Sequence, residues 1–182
     1  MPISAVHIRM TLAAYLDAHP EEKPEFAAIW DLLDAEVDLT TRKEFRGHVT
    51  AGAILTNPSG QILFIHHLAL GRWLTPGGHL EPEDTTLVGA ALRELTEETG
   101  IDPRQVATLS DQPIHIDIHP IPANLARGEP DHQHIDFRYL FTTTADIGPL
   151  QAEEVTDAAW HGIDTLDNER LRARLTAVLR NE

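Results

Sequence analysis

Residues 85–100 predict a helix with one apolar face and one polar face, and this segment constrains the fold more than any other part of the chain. Gly100 closes the pattern at a position where helices commonly end in the left-handed conformation. An apolar helix face must be covered by a sheet or by another helix. The residues that form this face recur at helical spacing and are Leu87, Ala91, Leu92 and Leu95.

The last two turns of this predicted helix carry Glu94, Glu97 and Glu98 close together. Like charges at these spacings repel, and each acid near the negative end of the helix dipole costs roughly 0.3–1 kcal/mol. The cluster therefore indicates that a positive group binds there. Three carboxylates and a backbone carbonyl near Gly77-Gly78 would form a hard oxygen site suited to Mg²⁺ or Mn²⁺. Such an ion favours chemistry at a phosphoryl group, with a free carboxylate taking the proton of the attacking water.

The charge and composition of the chain exclude several classes of function. With 14 basic and 29 acidic residues, the formal net charge is −15, which disfavours polymeric nucleic acid but permits a small anionic substrate bridged by a cation. The absence of cysteine excludes disulfides and thiolate metal sites and agrees with a cytoplasmic location. No apolar run approaches the ~18 residues of a membrane span, and the N-terminus lacks a signal-peptide pattern. We therefore expect no membrane partner.

The first forty residues have helical periodicity, unlike the segment that follows them. Residues 4–18 predict one helix that ends near His19-Pro20. We expect residues 1–43 to be an N-terminal helical extension, packed on the domain or on a second subunit, and residues 44–182 to be the main domain. A second predicted helix carries an apolar stripe of Phe26, Ile29, Trp30, Leu33 and Val37.

From Gly47 onwards the pattern alternates with a period of two, which is typical of strands. Residues 48–56 and 61–67 predict a hairpin joined by a turn at 57–60, and residues 71–84 predict a loop rich in glycine and proline. This mixture of hairpins and helices favours an α+β fold in which helices cover a sheet. Further strands are predicted at 114–121, 133–141 and within 153–163, and a last helix at about 165–180.

Residues 77–101, GGHLEPEDTTLVGAALRELTEETGI, resemble the Nudix box of the MutT-like pyrophosphohydrolases, whose pattern is G-x5-E-x7-R-E-U-x-E-E-x-G-U with U a bulky apolar residue. The similarity of the surroundings extends over roughly 46–181. The first half of the box departs from the pattern, because Asp84 replaces glutamate and eight residues instead of seven separate it from Arg93. The second half matches at Arg93, Glu94, Leu95, Glu97, Glu98, Gly100 and Ile101.

The resemblance implies a Nudix-type α/β/α sandwich with a mixed sheet, to which the N-terminal helical extension is added. It implies that Glu94, Glu97, Glu98 and the carbonyl of Gly77 bind the metal. Either Glu97 or Glu98 would also be the catalytic base.

The resemblance also assigns structural positions in the box, which include Gly78 and Gly100. Arg93 would hold the carboxylate of Asp84, and Glu83 or Glu81 could take the place of that acid. Glu154, just before a predicted strand, is a possible extra acid for metal or water.

Two polar strand faces could line a substrate pocket, hold a second metal, or form an internally hydrogen-bonded or solvated surface. Arg138 is the best candidate for a phosphate contact because its planar fork matches an oxyanion. His134, Arg46 and His79 complete the candidates for substrate binding, and the loop at 120–133 is expected to carry specificity contacts. The two faces consist of His115, Asp117 and His119, and of His134, Asp136 and Arg138.

The expected activity is divalent-metal-dependent hydrolysis of a diphosphate linkage in a nucleoside diphosphate linked to another moiety. The substrate is then a small phosphorylated, nucleotide-derived molecule, and the family habit of pairing favours a homodimer. An alternative is a non-catalytic module on the same fold that senses nucleotides or metabolites. All three box glutamates are kept, which favours the enzyme, because sensors often lose them. The missing cysteine disfavours isopentenyl-diphosphate isomerase, and the acidic charge disfavours messenger-RNA decapping.

Overall fold

An eight-stranded mixed sheet forms the centre of the fold in a computed structural model that describes residues 1–124 and 128–180. The first of its strands pairs in parallel with the seventh and antiparallel with the second and fourth, and therefore lies inside the sheet. The strands are β1 (His48–Thr56), β2 (Ile62–His67), β3 (Arg72–Leu74), β4 (Gly77–His79), β5 (Val106–Thr108), β6 (His115–Ile121), β7 (His132–Thr143) and β8 (Val155–His161). Strands β5 and β6 pair with β7, and β3 and β8 pair with β2.

Four α-helices accompany this sheet in the described part of the chain: α1 (Ala5–Ala18), α2 (Ala27–Asp34), α3 (Leu87–Thr99) and α4 (Glu169–Leu179). None of these described helices has the length and apolar character needed to cross a bilayer. Thr86 caps the N-terminus of α3 with its hydroxyl, which accepts a hydrogen bond from the Gly89 N–H, and Gly100, with φ of 65°, caps the C-terminus. Turns of 3₁₀-helix lie at Pro20–Phe26, Pro103–Gln105 and Ile163–Thr165.

The two faces of the sheet pack against different helices, because successive side chains of a strand point to opposite sides. On one face, Ala51 of β1 and Phe137 of β7 share a buried cluster with Leu95 of α3, Leu12 of α1 and Leu33 of α2. On the other face a second cluster contains Ile54, Ile62, Phe64, Leu140, Leu171 and Leu175, of which the last two belong to α4. The layers are therefore helix, sheet and helix, and the expected α+β fold is confirmed.

The half of the second face that α4 does not cover is polar, and this surface positions the candidate site. His48 and Thr50 of β1 lie opposite His134 and Asp136 of β7, respectively. The Thr50 hydroxyl donates a hydrogen bond to Asp136 at 3.0 Å. On the other side of β1, His79 of β4 lies opposite Thr50. Side chains from three neighbouring strands therefore meet on one polar surface.

The sequence predicts a loop over residues 71–84, whereas the structure forms β3 and β4 there. Gly77 lies opposite Gly52, and a Cβ atom built on Gly77 would be 2.8 Å from the Cα of Gly52. The absence of side chains at Gly77 and Gly52 therefore allows β4 to approach β1 closely, although glycine in the sequence suggests a loop. The predicted last helix also begins later than expected, at Glu169, because the Asn168 side chain caps it by accepting from the Leu171 N–H.

Candidate active site

The C-terminal turns of α3 lie against β4, so that the predicted acidic cluster meets the predicted glycine pair. Glu98 is only 2 % exposed, and its Oε2 accepts a hydrogen bond from the backbone N–H of Gly77 at 3.0 Å. Burial of this carboxylate raises the pKa of Glu98 to about 8, and the charges of the neighbouring acids act in the same direction. One backbone N–H compensates only a small part of the negative charge of the buried Glu98 carboxylate.

Glu94 lies beside the second glycine of the pair. A Cβ atom built on Gly78 would be 2.6 Å from Oε1 of Glu94, so that a side chain there would displace the carboxylate. The Glu94 side chain is 12 % exposed and accepts a hydrogen bond from Nη1 of Arg93 at 3.1 Å. Burial raises the pKa of Glu94 to about 7, although the charge of Arg93 opposes this shift.

Arg93 connects the acidic helix to the loop that precedes it. Its Nε and Nη2 donate to the two oxygens of the buried Asp84 at 3.0 and 2.9 Å, and Nη2 also donates to the His79 carbonyl at 2.9 Å. Its Nη1 donates to Glu97 at 2.9 Å. The fork of one arginine thus holds Asp84 in two-point contact while it compensates part of the charge of the helix acids.

The additional residue between Asp84 and Arg93 does not prevent this contact. The Glu81 N–H donates to Oδ2 of Asp84 at 2.8 Å, which turns the loop so that the shorter acid faces the guanidinium. Glu81 and Glu83, the alternatives for this position, are both exposed.

Glu97 and Glu154 differ from the two buried acids in their access to solvent. The Glu97 side chain is 48 % exposed, and Glu154 is exposed in the turn before β8. The charge of Glu154 contributes to the raised pKa values of Glu94 and Glu98, so that Glu154 lies near enough to act on both. Glu97 and Glu154 are therefore close enough to the two buried acids for their charges to act on them.

This donor set fits a hard divalent cation. The acids offer carboxylate oxygens, two of them have raised pKa values, and a side chain at Gly78 would clash with the carboxylate of Glu94. Mg²⁺ and Mn²⁺ prefer such oxygens and complete their coordination with water and substrate phosphates.

The structure places the four residues predicted to bind substrate in different surroundings. Arg138 donates to Asp136 at 2.8 Å and to Asp117 at 3.4 Å, so that two carboxylates already compensate its charge. Arg46 precedes β1 and pairs with Glu44 in solvent. Residues 125–127 of the predicted specificity loop lie outside the described residues.

His79 and His134 lie together, in a cluster of histidines that the sequence pattern does not reveal as one group. Their ring centroids are 5.2 Å apart, and that of His48 is 5.2 Å from His79 and 4.7 Å from His134. His119 and His132 border the same group at 5.7 and 5.2 Å from His134. Only the register of β4, β1 and β7 brings these distant positions together, so that alternation within a single strand carries no signal of the cluster.

The N-terminal segment contacts the loop and the helix of the site directly. The Ile3 N–H donates to the Asp84 carbonyl at 3.0 Å, and Nε2 of His7 accepts from the Leu87 N–H at 3.2 Å. The second contact satisfies a backbone donor in the first turn of α3. The predicted extension therefore packs against the motif that follows it.

Comparisons with known proteins identify relatives of this chain. A probable DHNTP pyrophosphohydrolase of Lactococcus lactis subsp. cremoris is 34 % identical over 102 residues, which are 53 % of this chain and 58 % of that protein. Phosphatase NudJ of Escherichia coli K12 is 46 % identical over 59 residues, which are 31 % of this chain and 37 % of NudJ. The match thus spans only part of each of these relatives.

The fold has a counterpart among solved structures. A NUDIX family hydrolase from Clostridium perfringens superimposes with a TM-score of 0.53 at 24 % identity, covering 74 % of this chain and 97 % of that one. The model of the NUDIX domain matches residues 46–181. This match spans more than half of the chain, includes every acid of the site and confirms the resemblance, and the protein accordingly belongs to the NUDIX domain family.

Proposed function

We propose that the protein hydrolyses the diphosphate linkage of a small nucleotide-derived substrate with the help of Mg²⁺ or Mn²⁺. The observation that carries this proposal is the placement of Glu94 and Glu98, two buried acids with raised pKa values, against the backbone of Gly77-Gly78. An acid pair of this kind is costly without a cation.

The roles follow from the positions of the side chains. Glu94, Glu97, Glu98 and the Gly77 carbonyl are the proposed metal ligands, with Glu154 as a further acid. The bound ion would polarise a phosphoryl oxygen and neutralise charge in the transition state. Either Glu97 or Glu98 would take the proton from the attacking water, and the half-exposed Glu97 is already open to solvent.

Several residues of this chain would support that chemistry without reacting. Arg93 and Asp84 would keep the loop and the helix in register through their two-point contact. Gly78 would leave room for Glu94, and Gly100 would allow α3 to end in the left-handed conformation. These contacts hold the acids in place before substrate arrives, which is the arrangement that electrostatic catalysis requires.

The polar sheet face would bind the rest of the substrate. A Cβ atom built on Gly52, the partner of Gly77, would be 3.2 Å from the Asp136 carboxylate, so that this face adjoins the glycine pair. Burial lowers the pKa of His79 to about 4 and that of His134 to about 3. Both would therefore act as neutral hydrogen-bonding groups, and Arg138 and Arg46, which already pair with acids of the chain, would be the positively charged contacts.

The experiment is a screen of diphosphate-linked nucleotides with Mg²⁺, with Mn²⁺ and with a chelator, in which products are identified by mass. Reaction in H₂¹⁸O shows which phosphorus is attacked. We expect metal-dependent release of a nucleoside monophosphate and a second phosphate-containing product. Tight binding without turnover of any substrate would contradict the enzyme and favour the sensing module.

Assembly and location are further parts of this proposal. The lack of cysteine supports a cytoplasmic location, and the exposed Met10 of α1 offers apolar surface to a second copy of the chain. Sedimentation at micromolar concentration tests the homodimer.

A further inference from the structure

Three neighbouring strands bring three histidines together on the polar sheet face: His48 of β1, His79 of β4 and His134 of β7. One ring nitrogen from each lies within 4.8 Å of the other two. His48 is only 1 % exposed, and the other two are partly buried. None of these histidines is a proposed ligand of the carboxylate site, although His79 and His134 are also the proposed substrate contacts.

The hydrogen bonds around His48 determine which nitrogen is available. Its Nδ1 lies 3.1 Å from the Glu44 carbonyl oxygen. A carbonyl can only accept, so that Nδ1 carries the proton and Nε2 carries the lone pair. That Nε2 is buried and has no hydrogen-bond partner among the described residues, and the same is true of Nε2 of His134.

Unpartnered buried nitrogens are rare because each loses its hydration without compensation. The unpartnered Nε2 atoms of His48 and His134, beside the imidazole of His79, indicate that these three side chains bind a ligand. The neighbours do not provide one: His132 stacks on His48 at 5.0 Å while its Nδ1 faces the Pro130 carbonyl at 2.8 Å. His119 is engaged with Asp117 at 3.0 Å.

We propose that His48, His79 and His134 bind a divalent transition metal ion of the zinc class, at a site separate from the carboxylate site. Three imidazoles with an open fourth position are a known ligand set for Zn²⁺, whereas Mg²⁺ prefers oxygen. The Glu44 carbonyl orients His48 as an outer partner commonly orients a metal-binding histidine.

The geometry requires only a small adjustment of side chains. Zn–N distances of about 2.0–2.1 Å in a tetrahedral site place the nitrogens about 3.3 Å apart, so that the rings must converge by at most about 1.5 Å. A nitrogen that binds a metal must carry no proton, and the contact of His48 Nδ1 with the Glu44 carbonyl leaves its Nε2 in that form. Asp136 and Asp117, on the same face, compensate part of the added charge.

The test measures Zn²⁺ binding to the metal-stripped full chain, without a polyhistidine tag, in a large excess of Mg²⁺ that occupies the carboxylate site. Equilibrium dialysis with metal analysis gives the stoichiometry, and Co²⁺ serves as a probe whose visible absorption reports tetrahedral coordination. We expect one Zn²⁺ per chain and an intense tetrahedral Co²⁺ spectrum. Absence of Zn²⁺ binding by the wild type would overturn the proposal.

Variants separate this site from the carboxylate site. His48→Gln and His134→Gln should each weaken Zn²⁺ binding at least about 100-fold and abolish the Co²⁺ spectrum. His161→Gln is the matched control, because His161 also has a buried, unpartnered Nε2 but packs against Phe64 and Trp73 instead of other histidines. Glu98→Gln should retain the ion. Loss of Zn²⁺ in Glu98→Gln with retention in folded His48→Gln and His134→Gln would contradict the proposal, and circular dichroism establishes which variants are folded.

Discussion

The carboxylate of Glu98 accepts a hydrogen bond from the backbone N–H of Gly77 at 3.0 Å, across 21 residues of sequence. This contact joins the end of α3 to β4 and places a buried acid against the strand that carries the glycine pair. It also fixes the orientation of the Glu98 carboxylate. The residues on both sides of this contact can therefore be tested separately.

Glu98→Gln should lower kcat at least about 100-fold and leave the fold intact, because glutamine can still accept from the Gly77 N–H but is a poor metal ligand. Thermal stability without metal should be equal or higher, since a buried acid has been removed. Steady-state rates and melting curves test both parts. We also expect Mg²⁺ to raise the melting temperature of the wild type, and this rise should be lost in Glu98→Gln.

Glu153→Gln is the matched control for this variant. Glu153 is exposed in the same turn as Glu154 and has no proposed role in the site. Its activity and its response to Mg²⁺ should equal those of the wild type. Wild-type turnover in Glu98→Gln would show that Glu98 has no role in catalysis.

The two glycines of the pair should respond differently to replacement by alanine. At Gly78 the new Cβ meets only the movable carboxylate of Glu94, so that Gly78→Ala should reduce activity and metal affinity with little loss of stability. At Gly77 it meets the backbone of Gly52 and Ala51, so that Gly77→Ala should destabilise the fold by several kcal/mol. Urea unfolding and rate assays of both variants provide the comparison.

Gly47→Ala is the control, because a Cβ there would have only ordinary contacts of 3.6 Å or more. It should change neither property. Equal stability of Gly77→Ala and Gly78→Ala would show that β4 can move away from β1 without cost.

Asp84→Ala should destabilise the protein by about 3 kcal/mol, because it leaves the half-buried Arg93 without its two-point partner. Activity should also fall, since Arg93 contacts Glu94 and Glu97 of the site. Glu81→Ala and Glu83→Ala remove the exposed acids beside it and should have little effect on stability. Chemical denaturation compares the three, and a larger loss in Glu83→Ala would reassign the partner of Arg93.

The sequence predicts most of this fold because its long elements have strong periodicity. The strands around Ile54 and Phe137 alternate clearly, and the helix that contains Leu95 ends at a glycine with the expected left-handed conformation. The short strand at Gly77 was not predictable, because glycine normally signals a turn and here permits a close strand pair.

The residues of the candidate site also differ in whether a local sequence pattern predicts their position. Glu94, Glu97 and Glu98 are neighbours on one helix, so that their spacing alone predicts that they cluster. The position of His48 beside His79 and His134 depends on the register of three strands, which no local pattern contains. The contact of Arg138 with Asp117 of β6 also depends on strand register, whereas its contact with Asp136 lies within β7.

His115 should make stability depend on pH below neutrality. Burial lowers its pKa to about 4, Arg138 and Arg174 act in the same direction, and Asp117 and Glu22 oppose them without overcoming the shift. Between pH 4 and the unfolded value near 6.5, the unfolded chain binds the additional proton. Stability is therefore complete above about pH 6.5 and falls as the pH decreases, by up to about 1.4 kcal/mol per unit.

His115→Gln should reduce that slope by about one proton, because an amide oxygen can still accept from Arg174 and does not titrate. Urea unfolding of both proteins at several pH values between 4.5 and 8 measures it. Above pH 7 the two curves should run parallel. An unchanged slope at acid pH would show that His115 is not neutral in the folded state.

His7→Ala should destabilise the protein by about 1 kcal/mol, because Nε2 of His7 accepts from the Leu87 N–H and so acts as a cap from outside α3. Val6→Ala is the matched control, since it shortens an exposed side chain at the neighbouring position of α1. Chemical denaturation gives both values, and amide exchange at Leu87 should accelerate only in His7→Ala. Equal losses of stability in the two variants would show that α1 supports α3 by packing alone, without the hydrogen bond.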